Sequence, residues 1–189
     1  MWIALAAGMW AGQGAAERRR ELPADADVGV VTLQHEPGRL YFVSRHAITG
    51  LDETTALQWT HAPKLRAAAT ALGLRVLGPT EYHVRFDAGR CATFDQARFA
   101  GQQLEIALPV DSPASGAGAF AFAAGEPFRC LSLIYRGSPM DVSTQWQRLY
   151  DDAQARGLTP SCENRQLIVN HTGFDRTRYL TELQLGVAP

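Results

Sequence analysis

The chain has 189 residues, of which 46% are hydrophobic and 20% charged. This composition suits one folded domain with a sizeable core and excludes wholesale disorder. Eighteen Lys and Arg stand against nineteen Asp and Glu, for a net charge of −1. The basic excess of a free-standing nucleic-acid binder is absent. Cys91, Cys130 and Cys162 are odd in number and show no CxxC spacing, so they are read as reduced thiols of a cytosolic protein, with neither a zinc site nor a disulfide framework.

Residues Met1–Ala16 are uncharged and are followed by Arg18-Arg19-Arg20. The run is short of the roughly 20 apolar residues of a membrane span and has no basic residue before it. It is read as a loosely packed apolar extension, with export or membrane attachment as the alternative. Residues 1–24 are therefore set apart as extension and linker, and residues 25–189 as the domain.

Within the domain, Val28–Leu33 is a β-branched run ended by Glu36-Pro37-Gly38, a turn. Arg39–Ala47 is a second strand, apolar enough at Leu40–Val43 to be buried on both faces. Asp52–Leu72 has helical spacing at Leu57, Leu65, Ala68, Ala69 and Leu72. Pro63 inside it predicts a kink or two helices meeting. Gly73 is a C-cap. Glu81–Phe86 and Leu104–Val110 alternate as strands. Residues 111–125 are rich in Ala, Gly and Ser and are read as a linker or mobile loop, although Phe120 and Phe122 should bury somewhere.

The pattern then restarts. Phe128–Arg136 is a strand, Asp141–Arg156 a helix with Val142, Trp146, Leu149, Tyr150 and Ala153 on one stripe, and Arg165–Asn170 and Leu180–Val187 are strands. Gly73-Leu74 matches Gly157-Leu158, and Leu104–Val110 matches Thr181–Val187. This is an internal repeat of two β-α-β-β units, residues 25–110 and 126–189. It predicts an α+β fold with a pseudo-two-fold axis: a curved antiparallel sheet, two helices on one side and a central cleft between the halves.

The second half resembles the GyrI-like family, the small-molecule effector-binding domain also found in AraC-type and MerR-type multidrug regulators. The resemblance is carried by Leu133–Gly137, Trp146–Tyr150, Gly157-Leu158, Asn164–Val169 and Thr181–Val187, and in the first half by Arg45-His46, Gly73-Leu74, Gly78-Pro79 and Tyr82. It implies a cleft that takes bulky hydrophobic, often cationic, molecules. In relatives a glutamate sits centrally in an Arg-Glu-x-Tyr pattern. Here the stretch reads Arg165-Gln166-Leu167-Ile168, so Gln166 replaces the Glu and Ile168 the Tyr. Gln offers hydrogen bonds but no charge, which favours neutral or weakly cationic ligands.

The ligand-binding candidates are Gln166, Tyr82, Trp146, Tyr150, Ile168 and Trp59. Trp146 and Tyr150 either stack on ligand or pack as core. Tyr41 and Tyr135 are read as core. Glu105 and Glu182 either face solvent or turn to the inner sheet face as cation anchors, and a shifted alignment would turn Glu163 inward in the same role. The five histidines show no metal-ligand spacing, and no catalytic motif or cofactor is indicated. The expected function is capture of a drug or toxin for sequestration or sensing. Two alternatives stand. One is hydrolysis of strained hydrophobic electrophiles by a carboxylate base such as Glu105 or Glu182, against which the loss of the family carboxylate at Gln166 argues. The other is a protein-interaction role toward DNA gyrase. No stretch is long enough for a helix-turn-helix, so direct DNA binding is not expected.

Overall fold

The computed structural model describes residues 28–87, 89–138, 142–170 and 179–189. The N-terminal run 1–16, Asp141 and His171 fall outside these. In chain order the elements are β1 (Val31–Glu36), β2 (Leu40–Ala47), α1 (Leu51–Ala71), β3 (Glu81–Arg85), β4 (Gln103–Val110), β5 (Ala121–Ala124), β6 (Phe128–Arg136), α2 (Val142–Ala155), β7 (Pro160–Asn170) and β8 (Leu180–Val187). The eight strands of the described residues form one antiparallel sheet in the order β1-β6-β8-β7-β3-β4-β2-β5.

The order reads the same from either edge once β2, β3 and β4 are matched with β6, β7 and β8. The predicted repeat is therefore real, and its axis passes through the β3–β7 seam. Each repeat is preceded by one further strand, and these are exchanged: β1 pairs with β6 of the second half, and β5 with β2 of the first. Both helices end alike. Gly73 and Gly157 take positive φ of 69° and 66°, and Leu74 N and Leu158 N donate back to Ala69 O and Ala153 O at 3.0 and 2.9 Å. This is the Schellman closure that Gly makes cheap.

The β1–β2 connection forces the curvature. Glu36 and Leu40 are four Cα steps apart, a reach of at most about 15 Å. In a flat sheet β1 and β2 would sit six strand spacings apart, about 29 Å. The sheet must therefore curl until its edges meet. The β1–β2 and β5–β6 turns sit against each other at glycines: Gly125 N donates to Arg39 O at 2.7 Å, extending the β2–β5 ladder, and a Cβ on Gly38 would lie 2.6 Å from Gly125 O.

The two faces have opposite chemistry. One continuous row on the convex face, from β6 to β2, is Leu133, Leu183, Gln166, Tyr82, Ile106 and Ser44. The helices pack on this side. Leu65 and Ala69 of α1 bury against Phe42, Ile106 and Leu108. Trp146, Leu149, Tyr150 and Ala153 of α2 bury against Leu131, Leu133, Leu183 and Leu185. The neighbouring row on the concave face is Ser132, Gln184, Arg165, His83, Glu105 and Arg45.

Several sequence expectations are corrected. The first strand begins later, at Val31, because its register is set by β6 rather than by its own β-branched residues. β7 starts at Pro160, five residues earlier than its apolar run, with an irregularity between Pro160 and Asn164 that the alternation rule misses. α1 is one helix through Pro63, not two; its packing on the sheet outweighs the single lost hydrogen bond. The 111–125 connector contains β5, and Phe120 and Phe122 stack on Phe42 at ring-centroid distances of 5.3 and 5.1 Å. The cysteines are not all reduced: Cys91 and Cys162 form a disulfide with Cα atoms 4.7 Å apart, 71 residues apart in sequence. Cys130 is buried outside it.

Candidate functional site

The seam between the halves is closed at one end and open at the other. At the Arg85 end of β3, the chain turns over the seam. Cys91 is bonded there to Cys162 of β7, and Phe86 N donates to Cys162 O at 2.9 Å. Phe94 packs against both cores, with ring centroids 6.3 Å from Phe99 and 6.0 Å from Tyr150. This segment fills the cleft in front of α2. Trp146 and Tyr150 are accordingly core residues, 3% and 6% exposed, and Tyr150 Oη is 3.3 Å from Asn164 Nδ2. Tyr135 is buried in the same cluster.

At the other end the cleft stays open as a cavity of about 270 Å³ between α1 and the seam. It is lined by Thr55, Gln58, Trp59, Ala62, Pro63 and Arg66 of α1, Thr80 and Tyr82 from the start of β3, and Ile168 of β7. Three of the six ligand-binding candidates, Tyr82, Ile168 and Trp59, meet here. Gln166 sits beside Tyr82 in the sheet register but is not on the wall. Trp59 is 57% exposed, an aromatic held at the mouth. Of the α1 wall, Trp59 is a candidate from the sequence and Thr55, Gln58, Ala62, Pro63 and Arg66 are not, although a signal exists: residues 55, 58, 59, 62, 63 and 66 recur at one-turn spacing on one helical stripe. The stripe mixes polar and apolar residues, so it does not stand out as an apolar face.

The polar members of the wall are organised. Arg66 Nε donates to Thr80 Oγ1 at 2.9 Å, and Thr80 is buried. Burial pushes the Tyr82 phenol up to about 12, against a smaller opposing effect of the Arg66 charge. Tyr82 therefore keeps its proton and can donate.

The three candidate cation anchors lie on the other face of the sheet. Glu105 is buried there, with Oε2 accepting from Arg45 Nε at 2.8 Å and Oε1 3.5 Å from His83 Nδ1. Glu182 is 1% exposed and accepts from Ser132 Oγ and Gln184 Nε2, each at 2.8 Å. Neither faces solvent. Glu163 accepts from Arg85 Nε at 3.0 Å and Arg165 Nε at 2.7 Å. Tyr41 also belongs to this polar face: its hydroxyl donates to Glu81 Oε2 at 3.1 Å, and burial raises its pKa.

His83 is the hub of the concave face. Its Nε2 lies 2.9 Å from Glu81 Oε2, and the ring is 2% exposed between the two carboxylates. Burial opposes its protonation, but the neighbouring carboxylates of Glu105 and Glu81 outweigh it and raise the pKa. Burial likewise pushes Glu105 up, yet His83 and Arg45 hold it down at about 2. Glu81 is lowered by His83, Arg165 and Arg39 against its burial. Arg165 also lies 3.8 Å above the Phe128 ring. This is a packed structural network, in which each buried charge has opposite charges beside it. Among the described residues no group of three or more His, Cys, Asp or Glu could hold a metal ion, and no helix is long and apolar enough to cross a membrane.

The sequence matches no protein-family model and no curated protein. Among solved structures, the C-terminal domain of EcmrR aligns with a TM-score of 0.69 at 14% identity, over 85% of this chain and 98% of that one. The chain shares its fold with that domain. Of the EcmrR chain in its complex with DNA it spans 57%. SAV2435, solved bound to tetraphenylphosphonium, aligns at 0.59 and 10% identity, over 84% of this chain and 94% of that one. A hydrolase from Listeria innocua aligns at 0.55 and 10% identity, over 85% and 93%. These likenesses agree with the GyrI-like resemblance at the level of fold.

Proposed function

We propose that this chain is a small-molecule-binding domain whose site is the cavity between α1 and the β3–β7 seam. The observation that carries the reading is the wall itself. Trp59, Ala62, Pro63, Tyr82 and Ile168 offer apolar and aromatic surface, and a few polar groups are set among them, as small-molecule sites require. At about 270 Å³ the cavity suits a compact aromatic molecule and is small for a bulky one. The structure of SAV2435 bound to tetraphenylphosphonium, on the same fold, supports small-molecule binding in general. Capture would serve sequestration, or report the molecule to a partner protein. A carboxylate-base hydrolase is not favoured, because Glu105 and Glu182 are committed to ion pairs or hydrogen bonds on the far face of the sheet. The cytoplasmic expectation rested on reduced thiols, and the Cys91–Cys162 disulfide removes that support.

The test is a thermal-shift screen of the full chain against compact aromatic compounds, repeated on Ala62→Phe, which places a ring in the cavity. A compound that binds only the folded state raises Tm by mass action. Shifts in the native chain that vanish in Ala62→Phe support the site. No shift with any compound, or shifts that survive the filling, overturns it.

A further inference from the structure

We infer that this cavity selects aromatic molecules bearing a planar amide or lactam, with Gln58 and Tyr82 as the side chains that recognise that group; the inference rests on the binding reading above. Gln58 of α1 is 7% exposed, Tyr82 of β3 is 6% exposed, and both line the cavity. Among the described residues neither side chain has a hydrogen-bond partner. Neither polar tip is sealed away from solvent, so what remains accessible of each opens on the cavity. Glutamine is ordinarily a surface residue, and a buried amide or phenol without a partner costs stability. Two such groups on one largely apolar wall mark the place where a bound molecule completes the hydrogen bonding.

The two groups call for complementary chemistry. The Tyr82 hydroxyl keeps its proton, because burial holds its pKa up at about 12, and it can donate to a carbonyl oxygen. The Gln58 amide carries a carbonyl as well as its N–H donors, so it can accept from a ligand N–H. A carboxamide or lactam is the small planar group that offers an acceptor and a donor side by side. Their polar neighbour on the wall is already engaged, since Arg66 Nε donates to Thr80 Oγ1 at 2.9 Å. Gln58 and Tyr82 are both uncharged, so an ionic head group would give up its water to partners that return less than it loses. Ala62, Pro63 and Ile168 supply apolar surface for the aromatic body. Gln58 thereby takes the uncharged hydrogen-bonding role expected of Gln166, which is not on the wall.

The experiment uses the full chain and four probes substituted at the same ring position: naphthalenecarboxamide, methyl naphthyl ketone, naphthoate and naphthylmethylammonium. Affinities are measured by isothermal titration calorimetry at neutral pH. The carboxamide should bind tightest, about tenfold tighter than the ketone, which keeps the carbonyl but lacks the N–H for Gln58. Gln58→Leu should bring carboxamide and ketone to within about twofold of each other, because the group that tells them apart is gone. Tyr82→Phe keeps the ring and should weaken both by about three- to tenfold, since both use the carbonyl. A carboxamide preference of less than about threefold over the ketone, or tightest binding of either ion, overturns the inference in the unaltered protein, whatever the variants do. A preference that survives Gln58→Leu, or affinities for carboxamide and ketone that Tyr82→Phe leaves unmoved, overturns it as well. Those results are distinct from the failure of the binding reading itself, which is seen when no probe binds at all or when binding survives Ala62→Phe, and with which the inference also falls.

Discussion

Breaking the Cys91–Cys162 bond should destabilise the fold by an amount set by the loop it closes. The two cysteines are 71 residues apart, and their link ties the segment over the seam in the first half to β7 in the second. Closing a loop of this length in the unfolded chain removes entropy worth about 4 kcal/mol at 25 °C. For a domain of this size each kcal/mol moves Tm by roughly 2–4 °C, so reduction should lower Tm by about 8–16 °C. The assay is calorimetric unfolding with and without reductant, with Cys91→Ser and Cys162→Ser as genetic counterparts. Alkylation and mass analysis under non-reducing conditions report the pairing directly. Three alkylatable thiols after unfolding in denaturant without reductant would refute the bond. An intact bond whose reduction moves Tm by less than about 2 °C would refute the loop-entropy reasoning, because it would mean that the unfolded chain is already restrained by other means.

Three further outcomes follow from the geometry. Stability should depend on pH through the concave network, with two opposite limbs. Glu105 is held near 2 against an ordinary 4.5, so its contribution is present above about pH 4.5 and fades as the pH falls toward 2. His83 is raised above 6.5, so its contribution is complete below about pH 6.5 and fades as the pH climbs through its folded value. Denaturant melts across pH should show the native chain losing stability on both sides of that window, with Glu105→Gln flattening the acid limb and His83→Gln the alkaline one. Removing Glu81 as Ala strands Arg165 and His83 without one of their counter-charges and should cost about 3 kcal/mol by the same measurement, where a loss under 1 kcal/mol would show that water enters this face. At Gly186 an added Cβ would lie 2.8 Å from both Glu163 O and the Phe128 ring, so Gly186→Ala should cost about 1–3 kcal/mol in urea unfolding; an unchanged midpoint would show that β7 and β8 separate without penalty there.

Much of the fold is local and was legible in the sequence. The two helices, β6 and β8 lie where their periodicity puts them, because one face of each packs in an apolar core, which imposes an apolar repeat of 3.6 or 2 on the residues themselves. The Gly-Leu closures repeat because only glycine takes positive φ cheaply. Tyr82 and Ile168 are expected at the cleft for a related reason: two copies of one motif must meet about an axis, and residues near its centre share a site; Trp59 is expected there only from its place beside Pro63 on the first helix.

What the tertiary structure decided is everything that depends on partners distant in sequence. Alternation shows that Glu105 and Glu182 point away from their neighbours, but not whether that face meets water. Here the three residues between β1 and β2 draw the edges together and bury it. The exchange of β1 and β5 is invisible locally, since either strand satisfies the same pattern beside either half. The disulfide joins cysteines that no spacing rule pairs. The cavity is where it is because the segment carrying Phe94 fills one end of the cleft, leaving α1 to wall the other with Arg66 and Thr80. A sequence sets the local conformations and the hydrophobic period of each element; which faces meet, and which space remains between them, is set by contacts across the whole chain.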